Sequence, residues 1–201
     1  MEDRDKLPGT GRIEAFSDGV IAIIITIMIL ELKVPAESIT SGSLAGVIRD
    51  LGPNLLAYGL SFVIVAIMLL NHHAIMRVAG RATNGLYWWN ANLLFWMSLI
   101  PLATAAFGQA PEEPLAVALY GGVMFVCGIS FTLLRRYAGR LSPPDPALAG
   151  YNRRNNIKNA VSAALYGLSV PLAFVSVAIS IAIFVLVAMA YFLPSRLPEE
   201  R

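Results

Sequence analysis

Apolar residues in this chain gather in runs about as long as a bilayer is thick, and charged residues gather between the runs. A helix needs ~20 predominantly apolar residues to cross the hydrocarbon core. Runs of that order lie at 11–34, 53–75, 86–107 and 115–134. Beyond them the chain is apolar from Asn159 to Leu193, too long for one crossing and just enough for two that are tightly joined. That predicts helices at 155–174 and 176–194, with a turn at Phe174 to Ser176 after Pro171. The expected fold is all-α: a single integral membrane domain, 1–201, with six transmembrane helices. Thr10 is placed to cap the first helix and Pro35 to stop it. Ser38 to Asp50 has too few apolar residues to span and predicts an interfacial stretch before the second helix. "GQAPEEP" marks the turn after the third, and "RRYAGRLSPPDPALAGYNRR" predicts a basic, proline-rich loop, the one long connection in the chain.

Composition agrees with the pattern. The 201 residues are 57% hydrophobic and 14% charged, with a mean hydropathy of +0.65, outside the range of ordinary soluble domains. The mixed-charge start "MEDRDKLPGTGR" and the absence of a small-residue cleavage site after the first apolar run argue against a cleaved leader. The single cysteine, Cys127, lies in an apolar run, which excludes a disulfide framework. Charge placement sets the topology. With six helices and both termini cytoplasmic, every Lys and Arg except Lys33 and Arg49 falls on the inner side, out of 15. Five helices would put the two halves of the chain in conflict. The expected location is the cell membrane, and the net charge of +2 points to lipid head groups and topology rather than nucleic acid.

Against this background a few polar residues stand out. Ser17 and Asp18 open the first apolar run, Asn71, His72 and His73 end the second, and Trp88, Trp89, Asn90 and Asn92 open the third. The topology brings all three groups to the cytoplasmic end. Polar groups at membrane depth are costly unless paired, so these groups are expected to satisfy one another. Interfacial histidines and an aromatic belt are the plainer alternatives. A metal site is disfavoured, because adjacent residues on a helix diverge by about 100° and no second ligand motif is present. Nothing resembles a nucleophile elbow, a phosphate-cradling glycine loop or a pair of acids in a cleft. No catalysis, cofactor or metal is therefore expected. In the first helix Ile23, Ile27 and Leu30 follow at i, i+4 and i+7, with Thr26 on the same side. Asp18 is about 140° away from Ile23 and so points away from that stripe. From periodicity alone, ordinary helix packing explains the stripe.

The residues carry a resemblance. "RIEAFSDGVIAIIITIMILEL", with Arg12 followed after three residues by Phe16, Ser17 and Asp18, resembles the first-helix signature of the endosomal and lysosomal potassium channel family. The likeness continues through "NHHAIMR", "YWWNANLLFWMSLIP", "RNN" and "VPLAFVSVAISIAIFVLVAMAYFLPSRL", nearly the whole chain. The signature occurs once, as in the single-repeat prokaryotic form. The resemblance implies a potassium-permeable cation channel without a TVGYG filter. It also implies a homotetramer in which the first helix of each subunit lines a central pore. Ile23 would form the apolar constriction, Ile27 and Leu30 the layers above it, and Thr26 a hydroxyl that contacts the ion. Arg12, Phe16, Ser17 and Asp18 would belong to a structural polar network with Asn71, His72 or His73, and Trp88 or Asn90. Glu31, set against the helix dipole, would concentrate cations at the outer mouth. The alternative is a proton-coupled transporter or proton-conducting channel that uses Asp18 with His72 and His73.

Overall fold

A computed structural model of the chain describes residues 9–32, 44–141 and 146–192. Among them are seven helices: α1 (Gly11–Leu30), α2 (Leu44–Ala79), α3 (Asn84–Met97), α4 (Ile100–Gln109), α5 (Pro114–Leu141), α6 (Pro146–Ala173) and α7 (Val177–Phe192). Four helical segments among the described residues are long and apolar enough to cross a membrane: Gly11–Leu30, Leu51–Ala79, Asn84–Gln109 and Pro114–Leu141. Val177–Tyr191 is a shorter apolar helix.

Several boundaries differ from the sequence expectation, each for a local reason. Thr10 does occupy the N-cap position, but its hydroxyl donates to the Glu14 carboxylate at 2.6 Å rather than accepting from a backbone amide. α1 stops at Leu30, short of Val34. Its last turn has no cation, and Glu31 at the C-cap opposes the helix dipole. Pro35 and the 38–43 part of the interfacial stretch lie outside the described residues. From Leu44 onward that stretch is already helix, continuous with α2 through Pro53. At 36 residues α2 is about 54 Å long against a hydrocarbon core of about 30 Å, so it extends past the apolar layer.

The expected third helix is broken in two. Pro101 has no N–H to offer the Met97 carbonyl, and its ring crowds that carbonyl. Ser98 and Leu99 form the break, and the Ser98 hydroxyl donates to the Phe95 carbonyl at 2.7 Å. The basic loop also shrinks, because Arg135 to Leu141 continue α5 and α6 begins at Pro146. Only 142–145, outside the described residues, separate the two helices. Phe174 to Ser176 form the turn between α6 and α7, where the amides of Val175 and Ser176 both bond the Leu172 carbonyl.

α5 is the hub, packing against α2, α3, α4, α6 and α7, while α1 packs on α2, α3 and α4. Lipid tails are as apolar as leucine, so these helices are held by close packing and interhelical hydrogen bonds rather than by escape from water. Phe107, Tyr120, Tyr166 and Phe184, one each from α4, α5, α6 and α7, stack around Phe184 with ring centroids 4.9 to 5.9 Å apart. Beside them a buried hydroxyl chain ties α4 to α2 and α5. Thr104 donates to Ser61 at 2.7 Å, and Ser61 donates to Tyr120 at 3.1 Å.

Candidate functional site

α1 divides lengthwise into two faces. Ile13, Ser17, Ile21, Ile24 and Met28 are buried against α2, α3 and α4. Phe16, Ile23, Ile27 and Leu30 form a second stripe that the subunit leaves uncovered, with exposures of 62%, 57%, 41% and 73%. Thr26 lies on this open face, its hydroxyl proton held by the Ala22 and Ile23 carbonyls, both at 3.0 Å. With the proton so engaged, the exposed hydroxyl oxygen is left free to accept. Val20, Ile23, Ile27 and Glu31 also border a groove whose far wall is the break in the third crossing, at Ser98, Pro101 and Leu102.

At the N-terminal end of α1 the polar residues meet in two neighbouring sets, a buried trio and a pair. The Asn90 amide nitrogen donates to the Ser17 hydroxyl at 2.9 Å, and Ser17 passes its own proton to the Ile13 carbonyl at 2.8 Å. With that orientation the Asn90 carbonyl oxygen accepts from His72 Nε2 at 2.7 Å, which places the imidazole proton on Nε2. Ser17 and His72 are fully buried, and Asn90 nearly so. The pair is His73 with Asp18, Nε2 to Oδ1 at 2.8 Å. It lies nearer the surface, the side chains being 36% and 47% exposed. One helix end from each of α1, α2 and α3 is thereby clasped.

The alternatives left by sequence are thus sorted by position. His73, not His72, bonds Asp18, and Asn90, not Trp88, joins the cluster. Trp88 precedes Asn90 by two residues, about 200° around α3, and is 77% exposed. Asn71 turns its amide to the Ile67 carbonyl of its own helix at 3.0 Å. Phe16 lies on the open stripe, and Arg12 is exposed outside the bonded cluster. The sequence gives little warning of the Ser61, Thr104 and Tyr120 chain. Each is one polar residue in an apolar run, and nothing in periodicity pairs positions 43 and 59 residues apart. Asn92 makes a further interhelical bond, to Ser130 at 3.0 Å.

An all-helical bundle with several membrane-length apolar helices and a hydrogen-bonded polar clasp at one end defines a multi-pass membrane protein. The family model described as the endosomal/lysosomal potassium channel TMEM175 matches residues 12–101, a segment holding all but the first residue of α1, both histidines and Asn90. A potassium channel of Chryseobacterium sp. is 36% identical over 190 residues, covering 94% of this chain and 96% of that one. The chain belongs to the TMEM175 family of ion channels. The crystal structure of a lysosomal potassium-selective channel TMEM175 homologue from Chamaesiphon minutus superposes with a TM-score of 0.80 at 30% identity, covering 92% of this chain and 96% of that one. The human endosomal/lysosomal proton channel TMEM175 is 30% identical over 199 residues, 89% of this chain but 39% of the human protein.

Proposed function

We propose that the chain is a potassium-permeable cation channel of the cell membrane, assembled as a homotetramer with α1 of each subunit on a central axis. Six crossings are counted as α1, α2, α3 with α4, α5, α6 and α7, both termini being cytoplasmic, where the Lys and Arg excess belongs. The observation that carries the reading is the open stripe of α1. An apolar face with one hydroxyl, on a helix whose other face is clasped to its own subunit, suits a shared axis. Four copies of Ile23 there make an apolar constriction that expels water when narrow and conducts when wide enough for a partly hydrated ion. Such a constriction favours potassium over sodium, because potassium releases its water more readily. Ile27 and Leu30 continue the apolar wall, Thr26 offers oxygen lone pairs, and Glu31 draws cations to the mouth. Potassium ions, lipid and three further copies of the chain are the partners.

Flux from liposomes under opposed potassium, sodium and proton gradients tests this. The native chain is expected to pass potassium ahead of sodium, and Ile23→Asn to raise total leak and narrow that difference. Flux indifferent to Ile23→Asn would remove the gate from this position. A second reading has its own observation, the half-exposed Asp18–His73 pair at 2.8 Å. If that pair relays protons, Asp18→Asn abolishes the proton flux and spares the potassium flux. If it is a clasp, both fluxes per folded channel survive.

A further inference from the structure

A cavity of about 40 Å³ lies away from α1, between α2, α5, α6 and α7. Its α6 wall is Asn159, Ser162, Ala163 and Tyr166, at i, i+3, i+4 and i+7, which is one face of the helix. Ile64, Met124 and Phe131 are among the apolar residues opposite. Two polar atoms on that α6 face have no protein partner, the Tyr166 hydroxyl and the Asn159 amide nitrogen, although the side chains are only 4% and 8% exposed. The other end of the Asn159 amide is occupied, its oxygen accepting from the Tyr191 hydroxyl at 2.9 Å. Ser162 donates its proton to the Lys158 carbonyl at 2.9 Å. Asn71, also in the wall, spends its amide nitrogen on the Ile67 carbonyl, so the two wholly unpartnered buried groups are the ones the cavity leaves most in need of a ligand.

Leaving a donor unmade in a buried place costs more than a made bond contributes, and buried polar groups in proteins nearly always find a partner or an ordered water. An apolar cavity of this size can stay dry, but one with two unpartnered polar groups has room for water, which needs about 10–15 Å³ of such space per molecule. Tyr166 lies two turns after Asn159, and a helical tyrosine leans back toward the N-terminus, so its hydroxyl is carried toward Asn159. We propose that this cavity is a binding site for small neutral hydroxyl-bearing molecules, water or a short-chain alkanol. The ligand oxygen accepts from the Asn159 Nδ2 and exchanges a hydrogen bond with the Tyr166 Oη. The wall of Ile64, Met124 and Phe131 receives the alkyl tail when there is one. The shared chemistry is one hydroxyl, and the source is decided by experiment.

The native protein is examined in lipid nanodiscs at a resolution that shows ordered water, with and without ethanol as the probe. Expected without ethanol is density within about 3 Å of both Tyr166 Oη and Asn159 Nδ2. With ethanol, density that lengthens toward Phe131 identifies an alkanol site, and unchanged density identifies water as the occupant. An empty cavity in both maps overturns the proposal. Thermal unfolding gives a second measurement with opposite signs for the two cases. If a bound hydroxyl is there, Tyr166→Phe takes away one of its partners and lowers Tm; in a dry cavity the same change removes a stranded hydroxyl and raises it. Where ethanol binds, Tyr166→Phe weakens its half-saturating concentration about fivefold, the effect of one lost neutral hydrogen bond. An unaltered or raised Tm, like an empty map, counts against the site.

Discussion

Asn90 and Asp18 both look like essential polar residues in a membrane helix, yet their surroundings give them different weights. Asn90 holds two buried groups at once, the Ser17 hydroxyl and the His72 Nε2–H. Asn90→Leu strands a histidine with no exposure, and an unpartnered buried donor costs about 1–3 kcal/mol. The Asp18–His73 pair is a third to a half exposed, where such pairs contribute about 0–1 kcal/mol, and an amide oxygen in Asp18→Asn still accepts from His73. Thermal unfolding of the purified protein should therefore show a clearly larger loss for Asn90→Leu than for Asp18→Asn. The reverse order would mean that the Asp18 charge, rather than the buried hydrogen bonds, holds the helix ends together. This weighting was not legible in the sequence. The FSD, NHH and YWWN stretches contain the cluster's members, but they also hold Phe16, Asn71 and Trp88, which stay outside it, and adjacent histidines carry no label saying which one turns inward. That is settled by the rotation of α2 against α3, a property of packing and not of pattern.

At the scale of elements, glycines on α5 decide how closely its neighbours approach. A Cβ built on Gly128 would stand 2.9 Å from the Ala163 Cβ and 3.4 Å from the Ala163 Cα, so backbone as well as side chain is in the way. Gly122, on the same helix, meets nothing within 4 Å. Gly128→Val should force α5 and α6 apart and lower Tm by several degrees, in line with the ~1–3 kcal/mol of overpacked cores. Gly122→Ala should leave Tm unchanged or raise it, since alanine is the better helix former by ~1 kcal/mol. Equal effects at the two positions would show that close approach is not what Gly128 supplies. Long apolar runs announced helices in the sequence, because a bilayer demands uninterrupted internal hydrogen bonding. Their interruptions were less visible. "MSLIP" sits inside an apolar run, and one proline there can be absorbed as a kink or can split the helix, as it does between α3 and α4. By contrast Pro53 and Pro171 sit inside continuous helices. The arginines of "RRYAGRL" suggested a loop by charge, yet arginine is a good helix former and α5 runs on through Leu141.

On the scale of the whole molecule, the subunit leaves two kinds of apolar surface uncovered, and only one is proposed to meet other copies. Lipid accounts equally well for an exposed apolar residue on any outer helix, so exposure alone does not find an axis. The distinction can be made on α1 itself, because neighbouring residues there have opposite fates: Ile27 is 41% exposed on the open stripe, whereas Met28 is 1% exposed and packed within its own subunit. Around a shared axis, cysteines at position 27 from adjacent copies come near enough to bridge, and cysteines at 28 do not. Cys127 is buried and is replaced by serine beforehand, so that any bridge arises from the introduced thiol. In membranes treated with a mild oxidant, Ile27→Cys is then expected to give reducible dimers and Met28→Cys to remain monomeric on a denaturing gel. Dimers from neither position would place α1 away from the axis, with its open stripe against lipid. Dimers from 28 alone would mean that α1 is rotated by about 100° in the assembly relative to the isolated subunit. Either result would take Ile23 out of the pore and with it the apolar gate.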